Sequence, residues 1–374
     1  MLPKEWHQSC WCRETTIDNI LTLMVKRKIE ITLITDFYGA FQTKVPSNPY
    51  RGGFDLKLLS DWFQKSNIHL DIKRYSDFQF FEDYAGKRII YTSIEDPKGE
   101  YRSYIDDILY GLEQAGAILM PQYKYFKAHE NKVFMEILRN LIFKAGDEMR
   151  TYKLGSYSDF MYFPNTYSYP VIIKKSSGSA GKGVYLSKTR ERLIKTVKSV
   201  SNTNDYKSLI LDFLLVQKRR LNKIQYTNRY TLFRKKFIIQ NYIEGLPNDY
   251  KVLIFYEKYY VLKRLNRDND FRASGSGKLV ISEEFEVSDN LLDSCEDWFK
   301  EFDVPCASFD VACKDNKYYL IEFQFVSFGT YTQTSAHGYF YKKHNKWEKQ
   351  DVIIPLEKVF AESIVGYLKK KLII

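Results

Sequence analysis

No stretch of this sequence stays apolar over the roughly 18 to 20 residues that a membrane-spanning helix needs, and its first residues lack the unbroken apolar core of a signal peptide. The expectation is a cytoplasmic protein with no membrane partner. Cysteine is scarce. Cys10, Cys12, Cys295, Cys306 and Cys313 are an odd set without paired CxxC knuckles, which argues against a disulfide framework and against a zinc ribbon. His7, Cys10 and Cys12 crowd together, but a fourth ligand is missing and the spacing is not that of a common structural metal site, so the cysteines read as buried or idle thiols. Self-similarity at a period of roughly 20 to 50 residues is also absent, which excludes a solenoid or a propeller.

Acidic residues are the minority. Asp and Glu number 46 against 57 Lys and Arg, a net charge of +11, and such a surface attracts nucleic acid, nucleotides or other phosphorylated anions. No helix-turn-helix, zinc or RNP pattern accompanies the charge, so nucleic acid is not the expected partner. The 30 Tyr, 26 Phe and 5 Trp are spread along the whole chain and do not form a stacking platform. With 374 residues, 44% hydrophobic and 28% charged, the chain is long enough for about two to three domains of roughly 150 residues and has a globular composition.

Strands and helices alternate over the first part of the chain. KIEITLITD (from Lys28), IHLDI (from Ile68), KRIIYTS (from Lys87) and AILMP (from Ala117) read as strands. FDLKLLSDWFQKS and YRSYIDDILYGLEQAG read as the helices between them. That order implies a parallel sheet with helices on its faces. After the helix NKVFMEILRNLIFKAG (from Asn131) the strands come in pairs: YPVIIKK with GVYLSK, then FIIQNYI, YKVLIFY and YYVLKRL, then ASFDVAC with KYYLIEFQF. Antiparallel hairpins follow from this, with a terminal helix near residues 356–371.

Two of these pairs carry chemistry. SSGSAGKG, residues 176–183, lets backbone N–H groups close on phosphate oxygens without side chains in the way. It is not a Walker A loop, because Gly183 follows Lys182 where Ser or Thr is required and the next segment is a strand. With Lys174 on the entering strand and Gly181 and Lys182 in the loop, it suits a flap over a triphosphate; an ordinary hairpin loop is the alternative. The second pair carries Asp310, Glu322 and Gln324. Glu322 and Gln324, two apart on one strand, share a face and offer hard oxygen ligands for magnesium. A two-residue turn would set position 310 against 321, so a three-residue loop with Asn316 left-handed is expected, to bring Asp310 opposite Glu322. A solvated acidic pair is the alternative, but the flanks of YLIEFQF are apolar, and a buried carboxylate without a cation is costly.

These elements resemble the ATP-grasp ligases, which have a lysine on the strand before a glycine-rich flap. The resemblance puts Lys174 in VIIKKSSGSAGKGV at that lysine, and Lys132 in AHENKVFMEILR at the family's earlier nucleotide lysine. QNYIEGLPNDYKVLIF is similar to the hinge strand and implies adenine contacts at Gln240, Asn241 and Tyr242, with Asp249 on the ribose; Asn241 stands where the family has glutamate. Lys251 matches a basic position near the phosphates, Arg264 a phosphate-binding arginine, and Arg272 in DFRASGSGK a loop over the acyl phosphate. Asp310, Glu322 and Gln324 match the ligands of two magnesium ions, with Gln for Asn. The family resemblance implies an α+β ATP-grasp fold with an N-terminal parallel α/β (pre-ATP-grasp) domain. Its divisions are an extension at 1–27, the α/β domain at 28–125, a central lid at 126–240 and a C-terminal subdomain at 241–374. It implies an ADP-forming ligase that joins a carboxylate to an amine through an acyl phosphate, using ATP and two Mg2+; the basic run 217–237, if it steers a substrate, points to at least one that is anionic or phosphate-linked. A phosphotransferase on this fold, a non-catalytic ATP-binding protein and a nucleic-acid-binding protein are the rival readings. The segment from Ser327, SFGTYTQTSAHGYF, is expected in the acceptor pocket, and the basic run 217–237 is read as a solvated insertion or a steering patch.

Overall fold

The computed structural model describes residues 29–43, 52–94, 96, 99–143, 149–162, 167–178, 181, 183–222, 231–267, 270–272 and 276–372. β1 (Ile29–Thr35), β2 (Ile68–Arg74), β3 (Arg88–Tyr91) and β4 (Ile118–Met120) form a parallel sheet in the order β2-β1-β3-β4. The crossover helices α1 (Leu56–Lys65) and α2 (Glu100–Gln114) cover opposite faces. Ile31 and Leu33 share a core with Leu59 and Phe63 of α1, while Ile34, Ile89 and Tyr91 share another with Ile105, Leu109 and Leu112 of α2. The apolar residues of α1 recur four apart, and the Asp55 carboxylate accepts the Leu58 N–H at 3.0 Å as its N-cap, a device worth about 1 kcal/mol.

Two helices lead out of this sheet, α3 (Tyr123–Ala128) and α4 (Lys132–Phe143). A second, antiparallel sheet follows, in the order β5-β8-β6-β7, from β5 (Thr151–Leu154), β6 (Val171–Lys175), β7 (Val184–Ser187) and β8 (Phe237–Asn241). Between these strands lie α5 (Tyr157–Tyr162), α6 (Arg190–Val200) and α7 (Tyr206–Leu221). Leu193 and Val197 of α6 pack on Val171, Ile173, Phe237 and Ile239. The basic run at 217–237 is not a uniform insertion. Its first residues complete α7, putting Lys218, Arg219 and Arg220 in that helix's last turn, where cations oppose the negative end of the helix dipole.

The third sheet has seven strands: β9 (Asn248–Phe255), β10 (Lys258–Leu265), β11 (Leu279–Ile281), β12 (Cys306–Lys314), β13 (Lys317–Gln324), β14 (Tyr339–Lys343) and β15 (Lys346–Gln350). Its order is β13-β12-β9-β10-β14-β15, with β11 on β10. α8 (Asp289–Phe302) precedes β12; α9 (Tyr331–Ser335) and α10 (Leu356–Leu372) complete the chain. Strand alternation sorts the two faces. Val252, Ile254, Val261, Phe309, Val311, Leu320 and Phe323 point into a core with α8 and with Met135 and Leu138 of α4. On the other face Leu253, Phe255, Tyr260 and Cys306 pack under Phe360 and Ile364 of α10, a core continuous with Ile31 and Phe63 of the parallel sheet.

The hairpin between β12 and β13 departs from the expected loop. Lys314 pairs with Lys317, so the turn is two residues, Asp315 and Asn316, both with positive φ (52° and 60°). This is the left-handed pair that a tight hairpin turn demands. Asp310 still faces Glu322, because the register shifts between Asp310 and Val311: Val311 pairs with Leu320, and Ile321 is the extra residue. A bulge inside the strand, not a longer turn, supplies the offset. It also explains how Leu320 enters the core while Glu322, two residues on, faces the other way.

Candidate active site

Six charged side chains and one amide meet on the polar half of the α10-side face of the large sheet. Lys251 and Asp249 come from β9, Arg264 from β10, Asp310 from β12, and Glu322 with Gln324 from β13; Lys132 reaches in from the first residue of α4. Lys251 Nζ donates to Asp310 Oδ1 at 3.1 Å, and Arg264 Nη2 lies 2.9 Å from Asp310 Oδ2. Arg264 also clamps Asp249, donating from Nε at 2.5 Å and from Nη2 at 2.8 Å. Lys132 Nζ donates to Glu322 Oε1 at 3.2 Å. Burial acts to raise the Asp310 pKa, but Arg264 and Lys251 outweigh it and hold the carboxyl well below its usual range. Asp249, expected on the ribose, is bound here to Arg264, and burial pushes its pKa up against that partner. Gln324 lies opposite Ser308 on β12, on the same face as Asp310 and Glu322.

The flap joins this cluster from the second sheet. Lys174 on β6 is only 7% exposed, and burial pushes its ammonium down to about 8, with Glu136 and Glu322 opposing that shift. Within the loop, Gly178, Gly181 and Gly183 all have positive φ. At Gly183 a Cβ would also come within 3.1 to 3.2 Å of the Lys175 side chain, so the tight return to β7 depends on glycine. α4 holds the flap's near end: the Lys132 N–H donates to Ser176 O at 2.8 Å and Lys132 Nζ to Gly178 O at 3.0 Å. Arg272 holds the far end, donating from Nη1 to Gly181 O at 3.2 Å while pairing with Asp270 at 2.6 Å. Lys182, His7, Cys10 and Cys12 lie outside the described residues.

The hinge residues are placed less uniformly. Gln240 is buried on β8, and its Nε2 donates to Thr151 Oγ1 at 3.1 Å. The Asn241 side chain is exposed, while its N–H donates to Arg150 O at 3.2 Å. Tyr242 packs edge-on against Phe271, with ring centroids 5.9 Å apart. The segment after Gln324 returns to the parallel sheet, where Ser327 Oγ accepts the Ser93 N–H at 2.9 Å and lies 3.0 Å from Thr92 Oγ1.

Sequence reasoning missed Glu136 and Arg139. Both are buried on α4, and Arg139 Nε donates to Glu136 Oε2 at 3.1 Å. Their signal was available: two charges three apart on the same helix as buried Met135 and Leu138. His129, also missed, is buried with an unpartnered Nδ1, and burial beside Arg102 and Lys132 pushes its pKa down to about 3. It is a neutral imidazole at physiological pH.

Among the described residues, His, Cys, Asp and Glu do not cluster in threes. The donor set here is two carboxylates and one amide, which fits a hard cation that takes its remaining ligands from phosphate oxygens and water. No family model and no curated protein sequence matches the chain. Solved structures do. D-cycloserine synthetase DcsG superposes with a TM-score of 0.52 at 11% identity, over 91% of this chain and 99% of that one. The chain has the ATP-grasp fold. A RimK domain ATP-grasp protein from Sphaerobacter thermophilus is also similar, with a TM-score of 0.44 and 11% identity over 80% of this chain and 92% of that one. D-alanine–D-alanine ligase from Bacillus anthracis gives 0.43 and 13% over 79% and 86%. Within the ATP-grasp fold of this chain, the large sheet holds the carboxylates, and the smaller antiparallel sheet presents the glycine-rich flap towards them.

Proposed function

We propose that the protein is an ATP- and Mg-dependent ligase that joins a carboxylate to an amine and releases ADP and phosphate. The observation that carries this reading is the pairing of Asp310 and Glu322 across two neighbouring strands on one sheet face, countered by Lys251, Arg264 and Lys132, beneath a flap strand that carries a buried Lys174. A site that already balances three acidic groups with cations can accept a metal–triphosphate by exchanging partners. On this reading the chain divides at 28–125, 126–240 and 241–374 into an α/β domain, a lid and a C-terminal subdomain.

Asp310, Glu322 and Gln324 would hold two magnesium ions, which draw charge from the triphosphate when bound. Lys132, Lys174 and Lys182 bind the phosphates with the backbone around Gly181; Gln240, Asn241 and Tyr242 border the adenine. Asp249 takes the ribose after releasing Arg264. The freed Arg264, with Lys251 and Arg272, neutralises the oxygens of the γ-phosphoryl group as the substrate carboxylate attacks it and ADP leaves. The amine then displaces phosphate from the acyl carbon. Positioning and charge neutralisation supply the catalysis, so no protein nucleophile is required. Incubation with pooled carboxylates and amines tests the reading: amide product by mass spectrometry together with ADP is expected. ADP with a phosphorylated product and no amide would make the protein a phosphotransferase.

A further inference from the structure

We infer that Arg139 is a positioning residue for the metal site, because it holds the β13 bulge that brings Glu322 opposite Asp310. The inference rests on the ligase reading for its metal, but its structural core stands on the register alone. The two-residue turn sets Lys314 against Lys317, Cys313 against Tyr318, Ala312 against Tyr319 and Val311 against Leu320. Continued unchanged, that count puts Asp310 against Ile321, and Glu322 then turns to the α8 side with Leu320 no longer its opposite in facing. Ile321 is the one residue that must be accommodated, and Arg139 grips the backbone there. Its Nη1 donates to Leu320 O and its Nη2 to Ile321 O at 3.1 Å, while the guanidinium lies 5.4 Å from the centre of the Phe323 ring. Those two carbonyls lie on the edge strand of the sheet.

The arrangement is costly to build for stability alone. Arg139 is 2% exposed and Glu136 fully buried, and a buried ion pair is often no more stable than apolar residues of the same volume. What the pair adds is geometry: Glu136 takes Nε at 3.1 Å and Nη2 at 3.3 Å, which aims the guanidinium fork at the two carbonyls. The same helix, two turns earlier, puts Lys132 on Glu322 and on the flap. One rigid element therefore sets both the register of the carboxylates and the near end of the flap.

The test uses the full chain. In Glu136→Leu/Arg139→Met the buried charges go together, so the fold should persist. A crystal structure of that variant is expected to show Asp310 no longer opposite Glu322. Manganese binding in the presence of ADP, read by electron paramagnetic resonance, is expected to weaken about 10- to 100-fold, as when outer supports of metal ligands are removed. Asp310 still opposite Glu322 in the double variant overturns the proposal, whatever the metal does. If the double variant does not fold, Arg139→Lys serves: its single ammonium cannot reproduce the fork, and an unchanged manganese constant there overturns the proposal too. Wild-type protein that binds no metal–nucleotide would remove the ligase reading, and the register comparison would still be decided on its own.

Discussion

Two hairpins of the site are built on opposite principles. Between β12 and β13 the turn is two residues long, and Asp310 and Glu322 are set by a bulge in the strands themselves. Between β6 and β7 the last pair is Lys174 with Val184, where the chain opens into the glycine-rich return. Both β13 and β7 are edge strands of their sheets. The first is gripped through its carbonyls by Arg139; the second is tied at its loop by Lys132 and Arg272. A metal needs ligands whose spacing does not drift, and a strand register supplies that. A triphosphate has to enter and leave, and groups carried by a loop and its tethers can release it. On the proposed function, the β12–β13 register therefore sets the carboxylates, while Lys174 leads into the flap from β6 and Lys132 ties its near end from α4.

The sharpest way to break this division is in the rigid half. On the proposed function, Glu322→Ala removes a magnesium ligand. Turnover should fall by at least about 10²- to 10³-fold, the scale for losing one preorganised electrostatic group. Calorimetry should show that magnesium no longer strengthens ATP binding; equal magnesium dependence in variant and wild type would remove Glu322 from the site. Lys132 also loses its carboxylate partner in this variant, so ATP binding without metal should be no weaker than in wild type.

Breaking the flap half should separate binding from folding. Lys174→Met is expected to lower ATP affinity and nearly abolish turnover while Tm stays level or rises, because a buried ammonium held down at about 8 costs stability. The sign follows from the direction of the shift. The unfolded lysine, near 10.5, binds more protons than the folded one, so wild-type stability rises as pH increases from about 8 to about 10.5. Nucleotide binding runs the other way: the free protein's ATP affinity should fall above about pH 8, by up to about tenfold per pH unit. In Lys174→Arg, whose guanidinium stays charged, the fall should flatten. A wild-type affinity that is level from pH 7 to 10 would refute the role given to this ammonium.

How much of this the sequence disclosed differs between the same two hairpins. The glycine-rich return between β6 and β7 was legible because glycine and serine between two short β-rich runs have a local meaning, and Lys174 is read directly from the strand that enters it. The carboxylate set was legible as residues but not as geometry. Residues 310 and 322 were correctly paired, but a three-residue loop was expected where the chain makes a two-residue turn and a bulge. Nothing local in VACKDNKYYLIEF marks Ile321 as extra; the reason lies on α4, about 180 residues earlier in the chain, in Arg139. Asp249 was likewise visible as an acid at the right distance from the hinge, but its bond to Arg264 depends on the pairing of β9 with β10. The parallel sheet was read almost whole, because alternation of strand and helix is a pattern of the chain itself.

A gentler change sharpens the comparison on the rigid side. Gln324 keeps an amide oxygen but carries it one methylene further from the strand than the Asn that the family resemblance implies. In a site fixed by register, the side chain must absorb that length by its own torsions. Gln324→Asn is therefore expected to leave activity unchanged or raise it, with a change of a few-fold at most in the magnesium constant, since hard-ion sites tolerate ligand length when phosphate and water complete the shell. A loss of ten-fold or more would show that the longer amide is matched to this particular backbone.

The smallest effect is expected at the end of α7. Lys218, Arg219 and Arg220 are exposed in its last turn, on the part of the chain that carries the flap sheet. Their plain reading is a solvated helix end that offsets the dipole. If they also steer an anionic substrate, the effect must show in rate and salt dependence, not in nucleotide affinity, because a field from solvent-exposed charges is screened within about 8 Å at physiological salt. Reversing all three to Glu should then lower kcat/KM for the carboxylate by about tenfold at low salt and leave the KM for ATP unchanged. The difference between variant and wild type should shrink as salt is raised. The reversal also places acids at a helix C-terminus, which costs about 0.3 to 1 kcal/mol each, so Tm has to be followed in parallel. A kcat/KM that matches wild type at every salt concentration, with only Tm lowered, would leave these three residues as a helix end and nothing more.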